Sequence, residues 1–129
     1  MTIALDSWAV LAILRGEPSG AYVRDRLAAE RSVVSWINLG EVLYLETRRV
    51  GAARADDAVA AVTDVVDAEV PDVTLIRAAA ARKAEGGLEY ADAFAVATAQ
   101  RHEAELLTGD PEIAALAGPS LQVVDLRER

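Results

Sequence analysis

The sequence contains no cysteine. Disulfides, thiolate metal sites and a cysteine nucleophile are thereby excluded. Histidine occurs once, as His102, and lysine once, as Lys83, so nearly all positive charge is arginine. Positive charge is itself scarce: 13 Lys+Arg face 21 Asp+Glu, a formal net charge of −8. That balance argues against an ordinary nucleic-acid binder, which carries a basic face. No apolar run spans a bilayer, the longest early stretch being Trp8 to Leu14. The N-terminus has no basic lead, and Asp6 interrupts its apolar residues, so the chain reads as cytoplasmic with no targeting segment and no membrane contact. Internal repeats, linkers and low-complexity tracts are missing too. So is a glycine-lysine phosphate loop, which leaves Gly86-Gly87 as a helix stop.

What is present suits one α/β domain over residues 1–129. The chain is 53% apolar, enough to fill a core and too much for disorder. Ile3-Ala4-Leu5 reads as a buried strand ending at Asp6, with Ser7 placed to cap a helix through Leu14. A turn over 16–20 leads to a helix from Ala21 to Ala29, then a strand from Ser32 to Ser35. Trp36 to Val50 is helical and closes on Arg48, Arg49 and Gly51. A further helix is predicted from Asp56 to Ala68, with Val59, Val62, Val65 and Val66 as its stripe. A strand weakened by Pro71 follows over Glu69 to Val73. Helices from Leu75 to Glu85 and Tyr90 to His102 precede a strand at Glu105 to Thr108. A brief helix near Glu112 to Leu116 and a last strand, Leu121 to Val124, complete the chain. Strands alternating with helices imply a parallel sheet of four or five short strands.

Asp6, Glu41, Asp92 and Asp110 stand apart from the other acids. Each lies in or against apolar sequence, with no Arg or Lys within four residues on either side, so none has a local helix ion-pair partner. Asp6 and Asp110 follow strands, and parallel sheets bind ligands beyond the carboxyl ends of their strands. Glu41 lies mid-helix among apolar neighbours, which predicts a mostly buried helix. Asp92 sits in a first helical turn, where the dipole favours an anion. Buried carboxylates must be paired, protonated or metal-bound. Two charges about 5 Å apart repel by roughly 3 kcal/mol at an effective dielectric of about 20. Several such pairs would approach the whole stability of a domain, about 5–15 kcal/mol. A divalent cation resolves this, and oxygen ligands alone favour Mg²⁺ or Mn²⁺. Each acid alone also has an ordinary role as cap, turn residue or solvated charge.

In the right order, these segments resemble the PIN-domain family, specifically its VapC-type toxin ribonucleases. The matching pieces are Leu5-Asp6-Ser7 with Val10 to Leu14, and Val34 to Val42 around Asn38 and Glu41. The later ones are Tyr90 to Ala99 around Asp92, and Leu106-Leu107-Thr108-Gly109-Asp110-Pro111. The resemblance covers residues 4 to 124 and implies a three-layer α/β/α domain. It implies a metal-dependent endoribonuclease whose acids Asp6, Glu41, Asp92 and Asp110 hold Mg²⁺ or Mn²⁺ and orient water onto an RNA phosphodiester. The products would be a 5′-phosphate and a 3′-hydroxyl. Ser7 and Thr108 match hydroxyl positions beside the site, and Asn38, three residues before Glu41, would hold water or Glu41 itself. A VapB-type antitoxin, which places a basic residue among the acids, and a homodimer are implied as partners. Two positions depart from the pattern: Trp8 follows Ser7 where many relatives carry Ser or Thr, and Glu89 replaces a capping Ser ahead of Asp92. As a longer carboxylate, Glu89 should cap poorly and could add charge near the metal.

The remaining residues admit other readings. His102, among polar residues late in a helix, reads as a solvated surface group rather than a general base. Trp8, Tyr22, Trp36 and Tyr44 could stack bases, or be core and interface residues, while Arg24, Arg26, Arg31, Arg48 and Arg49 could contact phosphates or pair with nearby acids. A receiver or haloacid-dehalogenase phosphoryl-transfer domain would also gather acids and Mg²⁺ at strand ends. The second, however, needs an Asp where Trp8 stands, and the first a Lys after a late strand. A non-catalytic partner protein would not need an intact quartet.

Overall fold

A computed structural model describes residues 1–129. Its sheet has five parallel strands in the order β3-β2-β1-β4-β5. These are β1 (Thr2–Leu5), β2 (Arg31–Ser35), β3 (Asp67–Glu69), β4 (Glu105–Thr108) and β5 (Gln122–Asp125). The helices are α1 (Ser7–Leu14), α2 (Pro18–Ala29), α3 (Trp36–Val50), α4 (Ala52–Thr63), α5 (Val73–Ala84), α6 (Tyr90–Arg101) and a short α7 (Pro111–Ala114). A 3-10 turn over Leu126–Glu128 ends the chain.

The period of two along the strands builds the three layers. Ile3 and Leu5 point to one face, where they pack with Val10, Val23, Leu39, Val42, Val59 and Val62 of α1 to α4. Ala4, Val33 and Leu106 point to the other and meet Ala95, Val96 and Ala99 of α6. Leu75 and Ala79 join α5 to α6 through Phe94. Within the first of these layers α1 and α2 approach closely: a Cβ on Gly20 of α2 would lie 2.5 Å from the carbonyl oxygen of Ala12 in α1.

Strand order sets the site. From β1 the chain first adds β2 and β3 on one side, then crosses back to add β4 and β5 on the other. The order reverses between β1 and β4, which pair Leu5 with Leu107. Ligands of parallel sheets bind outside the strand ends at such a point.

Several predicted boundaries shift. The helix predicted over 56–68 begins at Ala52 and ends at Thr63, and the strand predicted over 69–73 is Asp67–Glu69. Pro71 cannot donate to a ladder, so pairing with β2 stops at Ser35–Glu69, just before it. Asp6, not Ser7, caps α1: it has the extended backbone of a strand end and accepts from the Ala9 amide at 2.8 Å. Glu89 precedes α6 without a side-chain capping bond, as its length implies. Helix α3 buries one face only. Asn38, Leu39, Val42 and Glu46 are inside while Trp36, Ile37, Gly40 and Tyr44 are exposed, so Glu41 lies at the edge of the buried stripe, half-buried.

Candidate active site

The four predicted acids line one cleft of about 500 Å³, although they come from four separate elements. Asp6 follows β1, Glu41 is on α3, Asp92 is in the first turn of α6, and Asp110 follows β4 and caps α7. Glu89 and Glu112 also line it, and no Arg, Lys or His does. The closest carboxylate group is Asp92, Asp110 and Glu112, whose oxygens lie within 4.8 Å of one another.

Asp6 forms the floor. It is 1% exposed, and its two oxygens accept from the Ala9 amide and the Thr108 hydroxyl. Burial pushes its pKa up to about 7. The two hydrogen bonds oppose that rise, and the charges of Asp110 and Glu41 add to it. Asp92 is pushed up to about 8, first by burial, then by Asp110, Asp6 and Glu41. With all carboxylates ionised the cleft would hold strong repulsion with no internal counter-charge, which is the condition that favours a bound cation. The donor set fits a hard divalent ion: the acidic side chains that line the cleft offer carboxylate oxygens only.

The predicted supporting residues lie behind the acids. Thr108 is fully buried. Its hydroxyl donates to Asp6 and accepts from the Asp110 amide at 3.0 Å, joining two of the acids. No hydrogen bond joins Asn38 to Glu41: Asn38 is buried, and Glu41 is half-buried at the cleft edge. Instead its Nδ2 donates to the Ala91 carbonyl at 3.0 Å and to the Ser7 hydroxyl at 3.4 Å. The Ser7 hydroxyl in turn donates to the Asn38 carbonyl oxygen at 3.2 Å, not to an acid. This small network ties together α1, α3 and α6, the three helices that follow or carry Asp6, Glu41 and Asp92.

Glu112 escaped the reading of the sequence. It met the same test as the other acids, since no Arg or Lys lies within four residues of it. What places it is local: Pro111 starts α7, and the Glu112 amide donates to Asp110 Oδ1 at 2.8 Å.

Several of the other charged groups are paired elsewhere. His102 is not a solvated surface group: its ring meets Glu69 at 2.8 Å and is largely covered. Arg26 bridges Glu30 and Glu105, Arg31 reaches Asp67, and Arg49 and Arg15 grip the buried Glu46.

A family model described as the PIN domain matches residues 3–119. A search of curated proteins returns no significant match. Among solved structures, VapBC2 of Rickettsia felis, bound to a DNA fragment from its promoter, is similar at TM-score 0.75 and 15% identity. The match covers 96% of this chain and 98% of that one. VapC20 of Mycobacterium tuberculosis, a toxin that cleaves the sarcin-ricin loop, is similar at TM-score 0.72 and 23% identity, covering 93% and 98%. A toxin–antitoxin complex of Klebsiella pneumoniae is similar at TM-score 0.71 and 21% identity, covering 96% and 97%.

Proposed function

Because the chain belongs to the PIN-domain family, we propose that it is a divalent-metal-dependent endoribonuclease and the toxin of a VapBC-type pair. One observation carries the reading. Acids from four elements meet in a cleft at the sheet's switch point, with no basic side chain to neutralise them. Mg²⁺ or Mn²⁺ would be held by Asp6, Glu41, Asp92 and Asp110, with Glu112 beside them. When bound, such an ion supplies activation of water and charge neutralisation at a phosphodiester.

The remaining work falls to the chain. Thr108 fixes the Asp6 carboxylate and, through the Asp110 amide, the start of α7. Asn38 holds the first turn of α6 against α1, so that Asp92 is presented to Asp6. The net charge of −8 still repels loose RNA. Binding then depends on the cation and on a few local contacts, not on a basic face.

The proposed partner is a VapB-type antitoxin, and the proposed assembly is a homodimer in the cytoplasm. Support for a protein partner is an apolar groove of about 350 Å³ between α1, α2 and α4. Ile13, Leu14, Leu27, Ala61 and Val65 line it and a partner segment would cover it. The VapBC structures to which the fold is similar are themselves toxin–antitoxin complexes. No helix is long and apolar enough to cross a membrane.

Single-turnover incubation of total RNA, with Mg²⁺ and with chelator, tests the function. Cleavage is expected only with metal, and only by the wild type when it is compared with Asp6→Asn. Equal cleavage by both proteins would overturn the reading.

A further inference from the structure

The cleft does not end at its carboxylates. Trp8 and Leu11 form part of its wall, and both also line a second hollow of about 260 Å³, bounded by Ala12, Arg15 and Glu17. Positions 8, 11, 12 and 15 recur at helical spacing, so one face of α1 runs from the acids to Arg15.

Trp8 is the partition between the two spaces. A Cβ built on Gly109 would lie 2.1 Å from Cε2, 2.2 Å from Cδ2 and 2.4 Å from Cζ2 of the indole. Cδ2 and Cε2 form the bond shared by the two fused rings, and a point can be nearest to that bond only from above the ring plane. The indole therefore lies flat on the Gly109 backbone, one residue before Asp110. It is seated there, yet 37% exposed. At the far end of the hollow, the Arg15 Nε is held by the buried Glu46 at 2.9 Å. Its terminal nitrogens make no hydrogen bond within the chain, so a positioned guanidinium edge remains free.

We propose that this hollow is a nucleobase subsite. Trp8 stacks the base of a single-stranded RNA residue adjacent to the phosphate at the acids, and Arg15 meets the next backbone phosphate. This rests on the nuclease reading of the same cleft. The hollow falls below the roughly 300–1,000 Å³ of pockets for drug-sized ligands, which suits one planar ring. A flat aromatic face seated on backbone matches any base, since stacking tolerates sequence. A chain of net charge −8 lacks the general attraction that most nucleic-acid binders use, so stacking and one placed cation have more to supply.

The test uses the full chain carrying Asp6→Asn, which prevents cleavage, in millimolar Mg²⁺. With Trp36→Phe added, Trp8 is the remaining tryptophan. A five-nucleotide single-stranded RNA is expected to quench its emission saturably, and the same oligonucleotide made abasic is not. By anisotropy of labelled RNA, Trp8→Leu should weaken binding about tenfold and Trp8→Phe much less, as expected for loss of an aromatic platform. Unchanged affinity in Trp8→Leu, or equal quenching by the abasic strand, would overturn the subsite. If the wild type still cleaves RNA in either case, the nuclease reading survives. Quenching by an arginine-rich peptide and not by RNA would make the hollow a protein-docking site and overturn it too. If the wild type neither binds nor cleaves RNA, both readings fall together.

Discussion

The Thr108 hydroxyl, at the end of β4, donates a hydrogen bond to Oδ2 of Asp6, at the end of β1, across 102 residues of sequence. Both groups are buried, and the bond spans the two strands between which the sheet reverses its order. Thr108→Val keeps the shape of the side chain and deletes the donor. A buried acceptor left without its partner costs about 1–3 kcal/mol. We expect that loss in urea melts at pH 8.5, where Asp6 is ionised, and a smaller one at pH 5, where it is protonated. An equal cost at both values would mean that the bond to Asp6 adds nothing and that the loss comes from the Asp110 amide and packing.

Asp6→Asn and Glu41→Gln are each expected to lower metal-dependent RNA cleavage by about 100-fold or more, the scale of losing a group that acts directly in the reaction. Neither should unfold the chain. In the metal-free state each substitution removes a charge that repels its neighbours, so stability at pH 8.5 should be equal to or above wild type. Circular dichroism melts with chelator check this. A marked fall in melting temperature would show that these carboxylates hold the fold rather than the cation.

The raised pKa values fix the sign of the pH dependence. Asp6 titrates near 7 and Asp92 near 8 in the folded chain, against an ordinary value of 3.8. Between those limits the native state binds more protons than the unfolded state, so stability falls as pH rises. Glu46 works in the opposite sense: Arg49, then Arg15, hold it below 4.5, and its contribution is lost only in acid below that value. From pH 5 to pH 8.5 the two aspartates therefore dominate. With chelator, the melting temperature should drop by several degrees across this range, since about 1 kcal/mol moves a small domain by roughly 4–8 °C. Millimolar Mg²⁺ or Mn²⁺ should restore it, more at pH 8.5 than at pH 5, because the ion binds the folded, ionised site. A flat profile, or no response to either metal, would count against the cluster.

Much of the architecture was legible because it rests on short-range rules. Strand alternation, the Gly86-Gly87 stop with both residues at positive φ, and the Arg48-Arg49-Gly51 helix end all act within a few residues. The quartet is legible because its acids have no neighbouring base in sequence. That test has limits, because the partners of a folded chain need not be near in sequence. Asp72 has no Arg or Lys within four residues, yet Arg101 closes on it at 2.8 Å, and Asp67 meets Arg31 in the same way. Glu46 shows the reverse. It stands three residues before Arg49, yet it is 1% exposed and also held by Arg15, just past the end of α1. The hydrogen bonds of Asn38 to Ala91 and Ser7 were not legible for a related reason. Spacing places it near Glu41 along α3, but which side of the helix faces α6 is decided only when the layers pack.

Gly109 makes the most local prediction. Its backbone needs no special conformation, so glycine is required there only by what covers it. An alanine Cβ would enter the Trp8 ring at 2.1 Å, and the residue beneath is backbone that cannot yield. The indole must lift away from the loop that carries Asp110. Gly109→Ala should cost about 1–3 kcal/mol, the usual range for overpacking. The penalty should largely vanish in a Trp8→Ala background, where the added methyl fills space the indole has left. A double-mutant cycle by urea denaturation reads that coupling directly. If the two substitutions simply add, Trp8 already moves freely off Gly109, and the ring is not the fixed wall that the cleft requires.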